Sequence, residues 1–191
     1  MNHRRLLLID NHDSFTYNIS DYLKRLGVEV KVLERPYCRK EDIYQADAVV
    51  ISPGPGNPEN LPDLMELISH IAGKKPVLGI CLGHQALAHY YGGRIVPAQP
   101  MHGKISTVQK VNKSCLLNGI PDNFRVVRYH SLLVTDLPEV LAPLLITEEK
   151  QLMAFVHKRL HVAGIQFHPE AHLTDFGLLL LKNWLDCCVV D

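Results

Sequence analysis

The chain has 191 residues, of which 47% are hydrophobic and 21% charged, a balance that suits a soluble globular domain with a sizeable core. Its 20 basic and 20 acidic residues cancel, so composition offers no electrostatic footprint for nucleic acid or for an anionic membrane surface. Five cysteines, Cys38, Cys81, Cys115, Cys187 and Cys188, form an odd set without C-x-x-C spacing. Neither a disulfide framework nor a cysteine zinc site is indicated, and a reducing cytoplasm is the expected compartment. The start is basic (His3, Arg4, Arg5), but the apolar run over 6–9 stops at Asp10, too short for a signal peptide. No run approaches the length of a membrane-spanning helix.

Residues 6–9 read as a buried strand. Phe15, Ile19, Tyr22, Leu23 and Leu26 then recur at helical spacing, with Ser14 or Asp13 as cap and Gly27 as the stop. Residues 28–33 are a second strand and 48–51 a third. A turn cluster precedes a helix over about 61–71, where Pro62 is tolerable in the first turn. Residues 77–80 form a fourth strand, and 85–91 a helix running to Gly92-Gly93. This alternation implies a parallel sheet covered on both faces, with functional residues at the carboxyl ends of its strands.

The second half changes character. Residues 94–96, 105–111, 124–128, 141–147, 153–156 and 162–167 are short strand-like runs with tight connections. A last helix over about 175–187 carries Phe176, Leu179, Leu180 and Trp184 on one face. No repeat, linker or low-complexity segment intervenes, so residues 1–191 are expected to form one domain. The expected class is α/β, an open, mostly parallel sheet flanked by helices, with additional antiparallel strands in the second half.

Three short motifs carry chemistry. Gly79-Ile80-Cys81-Leu82-Gly83 lies between strand and helix, the shape of a nucleophile elbow, in which flanking glycines avoid collision with neighbouring backbone. The positive end of a helix favours thiolate over thiol, although an ordinary buried cysteine fits the same spacing. His168 and Glu170, in Gln166-Phe167-His168-Pro169-Glu170, can lie on one side of a strand end as a base and its orienter. A surface pair beside a proline turn would look the same. His168 and His172 are four apart, but Pro169 opposes the helix that a zinc pair of this kind needs. Pro53-Gly54-Pro55-Gly56 follows the third strand, where the N–H of Gly56 or its neighbour, with that of Leu82, could hold an oxyanion. A plain turn is the simpler reading of that motif alone.

Taken together, these motifs and three further segments resemble the class I, triad-type glutamine amidotransferases. The likeness is to the branch that forms the small subunits of anthranilate and aminodeoxychorismate synthases. It rests on Leu8-Ile9-Asp10-Asn11 with Asp13-Ser14-Phe15-Thr16-Tyr17-Asn18, on Ile51-Ser52-Pro53-Gly54-Pro55-Gly56, and on Leu78-Gly79-Ile80-Cys81-Leu82-Gly83-His84-Gln85-Ala86. Met101-His102-Gly103-Lys104, Tyr129-His130-Ser131-Leu132 and the block around His168 complete it, in the family's order. The resemblance implies a flavodoxin-like fold and a Cys81-His168-Glu170 triad that hydrolyses L-glutamine through a glutamyl thioester. It further implies a glutamine site of Gly54, Pro55, Gly56, Leu82, Gln85, and backbone at Ser131 and Leu132. No cofactor or metal on this chain is implied, and the partner is a chorismate-binding synthase subunit that consumes the ammonia.

The segments over 10–18 and 101–104 are expected to serve that partner rather than the chemistry, and the isolated subunit to be weakly active until docked. Two departures stand out. Ala171-His172 follow Glu170 where the family commonly has serine, which removes a hydrogen bond near Glu170. The loop after Gly56, Asn57-Pro58-Glu59-Asn60-Leu61-Pro62-Asp63, differs from the family's acidic-Ala-Gly stretch. A stand-alone cysteine hydrolase of γ-glutamyl or peptide bonds, or a non-catalytic subunit, are the competing readings.

Overall fold

The computed structural model describes residues 4–187, so His3 and Cys188 lie outside the described residues. The first half builds β1 (Arg5–Asp10), α1 (Thr16–Arg25), β2 (Glu29–Glu34), α2 (Lys40–Gln45), β3 (Ala48–Ile51), α3 (Pro62–Ile71), β4 (Val77–Ile80) and α4 (Leu82–Tyr90). The second half adds β5 (Arg94–Pro97), β6 (Lys104–Lys110), β7 (Asn123–Arg128), β8 (Leu132–Thr135), β9 (Leu141–Thr147), β10 (Leu152–His157), β11 (Val162–Ile165) and α5 (Gly177–Cys187). Nine strands form one sheet in the order β2-β1-β3-β4-β11-β10-β9-β6-β7. From β2 to β11 the neighbours are parallel; from β11 to β7 they are antiparallel. The expected α/β class holds, with β5 and β8 as a separate antiparallel pair.

Alternation along β1 explains the layers. Leu6 and Leu8 pack with α1 and α5 residues such as Ile19, Leu23, Leu181 and Trp184 on one face. Leu7 and Ile9 pack with Ile43, Leu64, Ile68 and Leu87 of α2, α3 and α4 on the other. A strand buried on both faces reads as a continuous apolar run, which is why 6–9, 48–51 and 77–80 were legible as strands. No helix of the described residues is long and apolar enough to cross a membrane.

Several expectations change. Phe15 precedes α1 instead of lying on its buried face, and neither Asp13 nor Ser14 caps the helix. Asp13 instead accepts from the Phe15 amide at 2.8 Å, and Asp10 from the Thr16 hydroxyl at 2.7 Å, so the two aspartates shape the turn into α1. Phe176 also stays outside its helix, exposed and at φ 60°. The strand over 162–167 ends at Ile165, and α2 and β8 are additional.

The largest change concerns cysteine. Cys115 and Cys187 form a disulfide across 72 residues of sequence. The chain contact that makes it possible is α5 lying on the short turn over Cys115–Leu117, where Asn183 Nδ2 donates to the carbonyls of Leu116 (3.1 Å) and Asn118 (2.7 Å). The step from unpaired cysteines to a reducing compartment therefore loses its premise.

β7 is the outer strand of the sheet, yet its open side is occupied. The segment following β11 lies along it, with His168 N–H donating to Val127 O (3.0 Å), Val127 N–H to Thr174 Oγ1 (3.0 Å) and Asp175 N–H to Arg125 O (2.9 Å). The Arg125 guanidinium closes the far end on the Asp175 carboxylate at 3.1 Å through both nitrogens.

Candidate active site

β1, β3, β4 and β11 are neighbours, and the segments leaving their carboxyl ends supply the sulfur, the histidine–carboxylate pair and the Pro53–Gly56 loop. The link from β4 to α4 is a single residue, Cys81, held at φ 53° and ψ −101°, a conformation that non-glycine residues rarely adopt. Its amide donates to the Ile165 carbonyl of β11 at 2.8 Å, and its carbonyl accepts from the Gln85 amide at 3.1 Å. The turn is this tight because both flanking glycines are spent on close approach. A methyl group at Gly79 would sit 2.3 Å from the Gly83 carbonyl, and one at Gly83 would sit 2.4 Å from the Ile51 carbonyl. The sulfur consequently stands at the start of α4, beside its unpaired amides.

From β11, three residues beyond the strand end, His168 reaches the same place. Its Nδ1 lies 2.6 Å from Glu170 Oε1, and both side chains are buried. A carboxylate can only accept, so Nδ1 carries the proton and Nε2 is the working atom. Among the described residues Nε2 has no hydrogen-bond partner, while the Cys81 sulfur lies near enough to the ring to favour its charged form. Burial opposes a charged ring, but the sulfur and the Glu170 carboxylate outweigh it and push the His168 pKa up to about 10. Thr174 locks the segment by donating to the His168 carbonyl at 2.7 Å. Among the described residues Glu170 Oε2 is buried without a partner, and the neighbouring Ala171 has no hydroxyl to offer. The stretch carrying His168 and His172 is a series of turns, so the helical spacing of a zinc pair does not arise.

Two rings shape the imidazole's surroundings. Phe15 (5.2 Å between centroids) and Tyr129 (5.0 Å) both meet His168 edge-on, and they touch each other at 5.1 Å. The 10–18 segment was expected to serve a partner rather than the chemistry; Phe15 and Asn11 place it in the site itself. Asn11 Nδ2 donates to the Ser52 carbonyl (3.0 Å), Ser52 Oγ accepts from the Asn11 amide (2.9 Å) and donates to the Pro53 carbonyl (2.6 Å). Arg35 extends the brace, bonding Asn11 Oδ1 at 3.3 Å and Asp63 at 2.8 Å.

That brace presses the Pro53–Gly56 loop against the elbow. Gly54 has no room for a methyl, which would lie 2.5 Å from Asn11 Cβ and 2.9 Å from Leu82 Cδ2, so Gly54 and Leu82 are brought together. Pro55 and Gly56 remain at the exposed tip of the loop, Gly56 at φ 95°. Gln85 and Leu132 meet directly, with Nε2 donating to the Leu132 carbonyl at 3.1 Å, while Ser131 is exposed. Asn11, Ser52, Arg128, His130, Gln166 and Thr174 were not singled out from the sequence as site residues. The nearest signal for Asn11, Ser52, His130 and Gln166 was their place in the six segments, which spacing alone does not translate into contacts; Arg128 and Thr174 lie outside those segments. A surface opening of about 810 Å³, lined by residues such as Lys110, Asn112 and Asp122, holds none of these groups.

Among known proteins, the family model described as glutamine amidotransferase class-I matches residues 7–187. Anthranilate synthase component 2 of Thermus thermophilus is 40% identical over 95% of this chain and 92% of its own length. The aminodeoxychorismate/anthranilate synthase component 2 of Bacillus subtilis is 40% identical over 95% of both. A crystal structure described as that of a GMP synthase subunit, from Thermoplasma acidophilum, superposes with a TM-score of 0.90 at 25% identity, over 98% of this chain and 95% of that one. The elbow cysteine, the histidine–carboxylate pair behind it and this agreement over nearly the whole length lead to one assignment: the chain belongs to the class I glutamine amidotransferases.

Proposed function

We propose that this protein is the glutaminase subunit of a chorismate-using synthase, making anthranilate or 4-amino-4-deoxychorismate with ammonia taken from L-glutamine. The observation that carries the chemistry is the convergence of Cys81, His168 and Glu170 at adjacent strand ends; the relatives named component 2 support the setting. Cys81 Sγ attacks the side-chain amide carbon of glutamine. The negative charge that develops on the amide oxygen is held by the Leu82 N–H and by an N–H at Gly56 or its neighbour. His168, protonated on Nε2, hands that proton to the departing nitrogen, and ammonia leaves. Water, deprotonated by the same Nε2, then cleaves the glutamyl thioester to glutamate. Glu170 keeps the ring oriented and stabilises its charge throughout.

Ammonia is lost to water and protonated near neutral pH, so a docked consumer is required. The partner is a synthase subunit that binds chorismate. Affinity capture with the tagged chain, followed by product analysis from glutamine and chorismate, tests this. Anthranilate or 4-amino-4-deoxychorismate is the expected product; a partner that does not use chorismate would refute the assignment.

A pH prediction follows from the imidazole. With a pKa raised from 6.5 to about 10, His168 holds its stabilising charge fully below pH 6.5 and loses it as pH rises through about 10. Glu170→Gln removes one of the two groups that raise it. The alkaline limb of kcat/KM for glutamine is expected to move down by at least about one pH unit, because an opposite charge at this range shifts a pKa by roughly 1–3 units. Turnover falls by on the order of 10⁴-fold, as for other orienting carboxylates turned to amides. An unmoved limb would show that Glu170 does not set the ring's charge.

A further inference from the structure

Arg128, at the end of β7, is 2% exposed and buries its guanidinium among three side chains. It donates through Nε to His130 Nε2 at 3.0 Å, through one terminal nitrogen to Ser106 Oγ at 3.2 Å, and through the other to Gln151 Oε1. A guanidinium has only donors, so His130 Nε2 must be an acceptor and its proton must sit on Nδ1. Nδ1 lies 3.0 Å from the Leu132 carbonyl, which accepts it. Burial, then the Arg128 charge, hold the ring neutral, with a pKa lowered to about 4.

The polarity continues into the elbow helix. The Leu132 carbonyl also accepts from Gln85, at 3.1 Å, and this fixes which end of the Gln85 amide is nitrogen. The second N–H of that nitrogen is used on Gln166 Oε1, again at 3.1 Å. Both donors of Gln85 are thus consumed inside the protein. What remains for a ligand is Oε1, which can only accept.

We propose that Arg128 and His130 are positioning residues of the glutamine site, which hold the backbone over 130–132 and fix Gln85 so that its Oε1 receives the substrate's α-ammonium group. This rests on the amidotransferase reading and deepens it. It ties selection of a free amino acid, over an amide lacking the cation, to a buried arginine that touches no substrate. Removing the His130 donor frees the Leu132 carbonyl and lets the Gln85 amide rotate, which weakens binding without touching sulfur or imidazole.

The test uses the complex with its synthase partner and two substrates, L-glutamine and glutaramic acid, the same amide without the α-amino group. The wild-type complex is expected to show a KM at least thirtyfold higher for glutaramate; equal values would overturn the proposal whatever the variants do. His130→Phe should raise KM for glutamine at least tenfold with kcat within threefold. It should also shrink the glutaramate-to-glutamine KM ratio at least fivefold, a coupling that a merely structural role would not produce. His130→Asn, which restores a donor to the Leu132 carbonyl, should recover most of the lost affinity. An unchanged KM in His130→Phe, an unchanged ratio, or no rescue by asparagine would each refute the assignment. Cys81→Ala separates the two levels: continued glutamine use there defeats the amidotransferase reading, whereas an inert Cys81→Ala with an unmoved His130→Phe defeats only the positioning role.

Discussion

Cys81→Ala is expected to abolish glutamine-dependent synthesis by the complex, by on the order of 10⁴-fold or more, while synthesis from added ammonia stays at the wild-type rate. The split follows from where the sulfur sits. Cys81 is the sole residue between β4 and α4, so an alanine there keeps the turn and removes only the attacking atom. The ammonia-consuming reaction belongs to the other subunit and needs no thiol. Paired assays with glutamine and with an ammonium salt read both outcomes. Glutamine use near the wild-type rate would remove the nucleophile from the mechanism, and loss of both activities would mean that the change had disturbed assembly.

Gly83→Ala should be nearly as damaging for a different reason. The new methyl would lie 2.4 Å from the Ile51 carbonyl and 2.9 Å from Ile51 Cβ, atoms of a central strand that cannot yield without moving β3. Overpacking of this kind costs about 1–3 kcal/mol, and a carbonyl of a central strand at this range places the site at the upper end. For a chain of this size that is a fall of about 6–12 °C in Tm. The displacement is shared by two halves of the site, since Ile51 leads directly into the braced Ser52–Gly54 segment. Glutamine use is therefore expected to collapse even well below the new Tm. A variant with unchanged Tm and activity would show that the helix does not approach the strand this closely.

What could be read in advance was what local spacing encodes. The apolar runs of β1, β3 and β4 and the glycine-flanked cysteine are each contained within a few residues, and family likeness arranged them around one site. α2 escaped notice because only Ile43 of its six residues is buried, which leaves no period to detect. β8 pairs with β5, whose nearest residue is 35 positions earlier, and the short run Leu132–Thr135 carries no turn signal of its own. Phe15 falls at helical spacing from Ile19 by coincidence of register, while the turn built by Asp10 and Asp13 sends its ring to His168. The Cys115–Cys187 bridge and the chain of contacts from Arg128 to Gln166 join elements far apart in sequence, and nothing in one-dimensional spacing marks such pairs.

One feature of the architecture ties chemistry to solubility. The arm holding His168 and Glu170 also sheathes the last strand of the sheet, whose amides and carbonyls would otherwise offer a template for a second molecule. Proteins that need a mobile catalytic arm ordinarily leave it free to swing. Here the arm is sewn down along a margin that must stay covered, so little movement at the site can come from it. An injury that loosened the arm would be expected to appear first as clumping of the protein, ahead of any clean catalytic defect.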